Sequence, residues 1–506
     1  MPTAACWQAT GRAPLQGKWV DVNKGDVANP VVRSRYVAKE FANQRDDEFF
    51  AATPPLEALR LLLSHAASGR QTGKGGRKVL VLDARKAHLH AMSERTIYVA
   101  LPPEVREPGK CALLKRCLYG TRDAPARWEA YLAAELAKMG FMRGAASACC
   151  FQHHSRDLRC VVHGDDFVFV GPDDELLWVG AEMRKSFLIK EIGKLGGDAD
   201  DMQELRVLNR VLRWETWGVR IEADPRHQEI LIDGLPAGPR SVSTPGVKER
   251  GADAGTLDSC RNLPADSPLT EQEVTAYRSS VARANYLALD RPELAFAAKE
   301  LCRRMSAPVR SDVAALERLL RYLRDAPRLT YKFAWQAVDD ATLEVYVDTD
   351  FAGCLQTRRS TSGGGAMRGG HLIKHWSVTQ KAVTLSSGEA ELCGIVKGAA
   401  EALGMQSIGR DLGIELKLRL HTDSSAAAGI CRRSGIGRVR HLAVGQLWVQ
   451  ERLREGAFSL TRIAGTENPA DLPTKHVNRE LVDKHLATFN VERSQGRAES
   501  APRAQL

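Results

Sequence analysis

The sequence predicts a multidomain chain of mixed α+β and α/β architecture, on three observations. At 506 residues it is too long for a single hydrophobic core, and its 43% apolar content can fill several. Apolar runs of strand length alternate with helix-period segments through the first half. Past about residue 240 this alternation gives way to a long stretch of helical propensity, after which strands resume.

Residues 17–50 interleave short strand-like pieces with basic residues, in GKWVDV and VVRSRYVAKEFANQ. The paired prolines Pro54 and Pro55 precede a helix over Leu56 to Ala67. The glycine-rich GRQTGKGGRK between Gly69 and Lys78 reads as a mobile turn, because it lacks the strand, GxxxxGK[ST] spacing and helix of a phosphate loop. A strand from Val79 to Leu82 then delivers Asp83. Asp123 to Met139 has helical apolar spacing with Pro125 tolerable in its first turn, and DDELLWVGAEMRKSF makes a second amphipathic helix. The stretch from EQEVTAYRSS to LLRYLRDA is helical in propensity and divided by Pro292 and Pro308.

Strands are expected at TYKFAW and LEVYVDTD, followed by a long helix from about Ser387 and a strand at Leu418 to Thr422. A helix near His441 to Arg454 and a strand at Phe458 to Ile463 complete the pattern. The final NVERSQGRAESAPRAQL is polar, contains Gly and Pro, and reads as a disordered tail from residue 489.

The formal charge of +10 points to a polyanionic partner such as nucleic acid. The eleven cysteines include no CxxC, which argues against a zinc framework and against a secreted disulfide scaffold. No apolar run approaches the roughly 18 to 20 residues needed to cross a bilayer, and the N-terminus lacks the pattern of a signal peptide. An intracellular, soluble protein without a membrane partner is therefore expected.

Seven carboxylates carry the candidate chemistry. In CVVHGDDFVFVG, two apolar runs flank Gly164, Asp165 and Asp166, so the segment reads as a tight hairpin exposing an acidic pair. A hairpin turn and a metal site remain open readings of the tripeptide alone. With Asp83, the pair could hold two divalent ions that activate a hydroxyl and neutralise charge on a triphosphate. Strand alternation lets only one of the pair share the side of Asp83, and Asp165 takes that place with Asp166 alongside. Arg33, Arg35 and Lys39 alternate with apolar positions in VVRSRYVAKE, and could grip phosphates or form a solvated edge strand.

The remaining four acids lie in the last third. Asp348 projects from the strand LEVYVDTD on the side opposite Leu343, Val345 and Val347. Glu389 lies near the start of a helix, where Ser386 and Glu389 also satisfy the capping-box spacing. Asp423 closes LRLHTD and Asp471 sits in ENPADLPTK, and each could instead cap a following turn. Four such carboxylates around two ions can orient water against a scissile phosphate. His441 in GRVRHLAVGQL could assist proton transfer or product release, or be a plain surface histidine.

Taken together, these segments resemble the reverse transcriptase and ribonuclease H portion of copia-type retrotransposon Pol polyproteins. The resemblance runs from about Gly17 to His476 and is carried by RSRYVAKEFANQ, LLKRCLYGTRDAPARWEAYL, VVHGDDFVFVG, VYVDTDFAGCLQTRRSTSGG, TLSSGEAEL, LHTDSSAAAGI and NPADLPTK in that order. It implies a right-hand polymerase palm and fingers over 10–240, a helical thumb or connection over 241–340, and a mixed-sheet ribonuclease H-like domain over 341–488. Asp83, Asp165 and Asp166 match the polymerase acids, and Asp348, Glu389, Asp423 and Asp471 the nuclease acids.

The implied activity is RNA-directed DNA synthesis with cleavage of the RNA strand of an RNA-DNA hybrid. Mg²⁺ is the implied cofactor, two ions per centre, with Mn²⁺ as a substitute. RNA template, DNA primer, hybrid and deoxynucleoside triphosphates are the implied partners, and a cytoplasmic particle or the nucleus the implied location. A remnant that binds nucleic acid without turnover is the alternative. The sequence departs from the family in four places. His88 stands at the position of the aromatic residue that guards the sugar, His163 replaces the aromatic residue before the acidic pair, Arg122 and Asp123 replace a basic-amide pair, and Phe351 replaces a tryptophan.

Overall fold

The apolar run KVLVLD forms the strand Lys78–Ala84, buried on both faces up to Asp83. Period-two alternation sends Val79 and Val81 to one core and Leu80 and Leu82 to another. This computed structural model describes residues 1–23, 30–41, 49–69, 76–235, 240–247, 267–326, 328–337, 341–437 and 439–501. Most of the glycine-rich turn expected between Gly69 and Lys78 lies outside them.

The strand belongs to a six-stranded antiparallel sheet ordered Ile189–Leu195, Lys78–Ala84, Asp166–Gly171, Leu158–His163, Cys150–His153, Met142–Arg143. The helices Ala124–Lys138 and Asp173–Ser186 cover one face, packing Trp128, Leu132, Leu136, Val179 and Met183 against Leu80, Leu82, Phe167 and Phe169. Against the other face lies the helix Leu56–Ala66, buried from Ala58 through Ala66. An amphipathic stripe would bury only one side of a helix. This one is enclosed because its opposite side meets the strand His371–Thr379 of a second sheet.

That second sheet has the order His371–Thr379, Thr361–Arg368, Thr342–Asp350, Lys417–Thr422, Ser459–Arg462, antiparallel in its first three strands and parallel in its last three. The helix Ser387–Asp411 packs on it. One continuous apolar core joins both sheets and includes Leu62, Val81, Val168, Val345, Leu392 and Leu420. The two acidic regions therefore ride on a shared scaffold.

A third sheet draws strands from distant parts of the chain: Glu204–Val207, Arg210–Glu215, Gly218–Ala223, Leu329–Ala334 and Val491–Arg493. The last of these corrects the expectation of a disordered tail from residue 489. Phe489 is fully buried, Val491 to Arg493 pair with Leu329 to Tyr331, and Ala498 and Ala501 pack on Val211. The local composition is polar, but the sheet edge offers unpaired backbone groups that the segment satisfies.

The helical stretch resolves into Glu271–Leu287, Ala295–Cys302 and Arg310–Asp325, broken around Pro292 and Pro308 as expected. Thr270 and Glu273 form a capping box at the start of the first. Asp290 accepts from Arg60 Nη2 at 2.8 Å and Arg210 Nε at 2.9 Å, so a buried charge is compensated where three parts of the chain meet. The helix expected over His441 to Arg454 is shorter. A 3₁₀ turn at Val444–Leu447 leads into Trp448–Arg454, with His441 outside both, consistent with the cost of Gly445 in a helix interior. No helix among the described residues is long and apolar enough to cross a membrane.

Candidate functional site

The first acidic cluster is built on a hairpin. His163 pairs with Asp166, leaving Gly164 and Asp165 as a two-residue turn in which Gly164 has φ +66°, a conformation that favours glycine. Two hydrogen bonds fix the tip: Trp128 Nε1 donates to the Gly164 carbonyl at 2.8 Å, and the Ala84 N–H donates to the Asp165 carbonyl at 2.8 Å. Asp166 is the direct register partner of Asp83. Directly opposed residues of an antiparallel pair share a face.

Asp166 thus takes the place that strand alternation had given to Asp165, which joins from the turn, where alternation does not apply. One carboxylate oxygen from each of Asp83, Asp165 and Asp166 lies within 4.8 Å of the others. Burial and then the charge of Asp165 raise the pKa of Asp83, and burial with both neighbouring acids pushes Asp166 up to about 6. A cation would relieve this repulsion.

The flank of this cluster is basic and aromatic. The charge of Arg33 opposes the rise at Asp83, together with Lys190 and Arg85. Arg35 lies 5.1 Å from the Tyr119 ring centroid, and the His88 ring packs on Tyr119 at a tilt of 32° with centroids 4.4 Å apart. Burial lowers the pKa of His88 against the opposing charge of Asp165, so a neutral imidazole faces the site near neutral pH. Lys39 is exposed just past the end of the strand Val32–Ala38. Asp123 is structural: it is buried and accepts from Arg95 Nη2 at 2.7 Å. Arg122 donates its backbone N–H to Glu40. Tyr119 was not singled out in the sequence, although LYG carried it.

The second cluster gathers Asp348, Glu391 and Asp423, again with one oxygen from each within 4.8 Å of the others. Asp348 is 3% exposed on the strand Thr342–Asp350, and Asp423 follows the adjacent parallel strand Lys417–Thr422. The helix contributes Glu391, which corrects the expectation of Glu389. Residues two apart on a helix point about 200° apart, so only one of these two glutamates can face the sheet.

Glu389 is used elsewhere. Its carboxylate accepts from the Leu385 N–H at 2.8 Å and lies 3.0 Å from His441 Nε2, while its own N–H donates to Ser386 Oγ at 3.3 Å. His441 therefore pairs with Glu389 and not with the clustered acids. The signal for Glu391 was present in the glycines at its third and seventh following positions. A Cβ at Gly394 would meet Thr349 Oγ1 at 2.5 Å and one at Gly398 would meet Val347 Cγ1 at 2.4 Å, so this helix face lies hard against the strand of Asp348.

Asp471 approaches from the other side. Asn468 is fully buried, donates from Nδ2 to the Val347 carbonyl at 2.9 Å and accepts from the Ala470 N–H at 3.2 Å, locking the NPAD turn to the same strand. Burial and the charge of Asp348 push Asp471 up to about 6 despite the Lys475 ammonium 2.7 Å away. Burial with the charges of Asp348 and Asp423 pushes Glu391 up to about 9. Glu391 Oε2 is buried without a hydrogen-bond partner among the described residues, and the buried Asp348 Oδ2 has the Lys475 ammonium 3.4 Å away. Oxygen donors in this state fit a hard divalent cation.

Two separate carboxylate sites on one scaffold, each with oxygens left for a cation, define a protein with two candidate metal centres. Residues 7–197 match the family described as Reverse transcriptase (RNA-dependent DNA polymerase), and most of the chain is similar to copia-type retrotransposon Pol polyproteins. It is 27% identical over 502 residues to the retrovirus-related Pol polyprotein from transposon TNT 1-94 of Nicotiana tabacum, covering 94% of this chain and 36% of the relative. The corresponding polyprotein from transposon RE1 of Arabidopsis thaliana is 26% identical, covering 91% of this chain and 30% of the relative. The chain thus spans about a third of the length of these curated relatives. A solved foamy viral protease-reverse transcriptase in complex with RNA/DNA hybrid is similar at a TM-score of 0.49 and 12% identity, covering 89% of this chain and 50% of that one.

Proposed function

We propose that the chain is an RNA-directed DNA polymerase that also cleaves the RNA strand of RNA-DNA hybrids, using Mg²⁺ at two separate centres with Mn²⁺ as a substitute. The observation that carries this reading is the pair of acidic clusters on different sheets of one chain whose residues 7–197 match the reverse transcriptase family. Asp83, Asp165 and Asp166 would hold divalent ions at the first centre and Asp348, Glu391, Asp423 and Asp471 at the second, and the bound metal would supply activation of a primer 3′ hydroxyl or a water and charge neutralisation at the phosphate attacked. Arg33 and Arg35 would bind phosphates beside the first centre, and the His88–Tyr119 pair would wall the sugar side of an incoming deoxynucleotide. The first sheet with its helices would be the palm, the third sheet with the helices Glu271–Leu287 to Arg310–Asp325 the thumb and connection, and the second sheet the nuclease domain.

Primer extension on an RNA template, with cleavage of the RNA strand read in parallel, tests this reading. Asp165→Asn is expected to remove extension and leave cleavage, and Asp348→Asn to do the reverse. Wild-type protein that does neither with Mg²⁺ would make the chain a nucleic-acid-binding remnant.

A further inference from the structure

We propose that the Lys475 ammonium occupies the second cation position of the Asp348 centre, so that this centre takes one divalent ion directly and a second only by displacing the lysine. The inference rests on reading Asp348, Glu391, Asp423 and Asp471 as one metal centre.

Asp348, Glu391 and Asp423 share one cluster, whereas Asp471 stands outside that mutual group and meets it at Asp348, with which it shares the Lys475 ammonium. The Lys475 Nζ lies 2.7 Å from Asp471 Oδ1 and 3.4 Å from Asp348 Oδ2. An ion bridging the same two carboxylates would compete for this space.

The backbone holds the lysine there. The Lys475 N–H donates to the Asp471 carbonyl at 3.1 Å, which stacks the two side chains one helical turn apart. Thr474 is fully buried, donates from Oγ1 to the Ala470 carbonyl at 2.5 Å and fills the space left by Gly363, where a Cβ would stand 2.0 Å from that oxygen. Asn468 pins the start of the turn to the strand of Asp348. The ammonium is thus tethered at both ends of its segment.

The first centre supplies the contrast. Among the described residues no lysine, arginine or histidine forms an ion pair with Asp83, Asp165 or Asp166, and the nearby cations act on Asp83 only through their field. Its three acids await their charge from outside the chain. One positive charge is already in place at the second.

Mn²⁺ binding to the full chain, followed by calorimetry and electron paramagnetic resonance, tests the proposal. The first centre is silenced with Asp83→Asn, Asp165→Asn and Asp166→Asn. In this background one tight Mn²⁺ is expected, with a second bound about tenfold more weakly or worse. Lys475→Met is expected to strengthen the second ion by about tenfold and produce the spectrum of a coupled ion pair, with Lys475→Gln as a second variant should the first misfold. Lys475→Arg, which keeps a cation, should retain the single-ion spectrum. Two ions of similar affinity in the lysine-containing protein, or no change on removing the ammonium, would overturn the proposal. Absence of any tight ion, unaltered by Asp348→Asn, would instead show that the underlying reading of a metal centre is wrong.

Discussion

The two acidic centres differ in how their carboxylates are brought together. The first takes two of its three acids from one hairpin and the third from the neighbouring strand, all in a single antiparallel sheet. The second needs a strand, a helix, the end of a parallel strand and a turn some fifty residues further along the chain. Its acids are also deeper, Asp348 and Glu391 being 3% and 9% exposed. A hairpin assembles acids by local pairing, whereas the second centre depends on packing across the domain, and its burial raises the repulsion a cation must relieve.

The largest effects should separate the centres. Asp166→Asn is expected to lower primer extension by roughly 10²-fold or more, with hybrid cleavage within about twofold of wild type, and Asp348→Asn to give the opposite pattern. Equal loss of both activities in either variant would mean that the centres are not independent. The next contrast lies inside one helix. Glu391→Gln is expected to lower hybrid cleavage by roughly 10²-fold, whereas Glu389→Gln, which weakens the pairing with His441, should cost less than about tenfold. The reverse order would restore Glu389 as a ligand.

A pH titration sharpens the difference in burial. Between the ordinary glutamate value of 4.5 and about 9, folded Glu391 keeps a proton that the unfolded chain releases. The metal-free protein should therefore lose stability as pH rises across that window, and Mg²⁺ should offset the loss. Thermal unfolding with and without Mg²⁺ from pH 5 to 9 measures this, and Glu391→Gln should flatten the slope. The smallest expected effect is that of Trp128→Phe. Removing the hydrogen bond to the Gly164 carbonyl should cost about 1 kcal/mol and lower primer extension a few-fold, leaving hybrid cleavage unchanged.

Much of this was legible in the sequence because strands and hairpins signal locally. The run KVLVLD and the GDD turn place Asp83, Asp165 and Asp166 with no knowledge of distant packing, although the register was needed to make Asp166 the partner of Asp83. Helix phase was harder. In SSGEAEL the Ser386 cap draws attention to Glu389, and only the glycines at 394 and 398 reveal that Glu391 faces the strand. The tail was misread because a strand formed at a sheet edge depends on its partner, here Leu329 to Tyr331, more than on its own composition. Asn468, Tyr119 and Lys475 were overlooked for a related reason, since each acts through a group far away in the chain.

Anomalous scattering from crystals grown with Mn²⁺ tests the central claim most directly. Peaks are expected within ligand distance of Asp83, Asp165 and Asp166 and, separately, of Asp348, Glu391 and Asp423. Manganese bound through Glu389, or absent from either cluster at saturating concentration, would contradict the account.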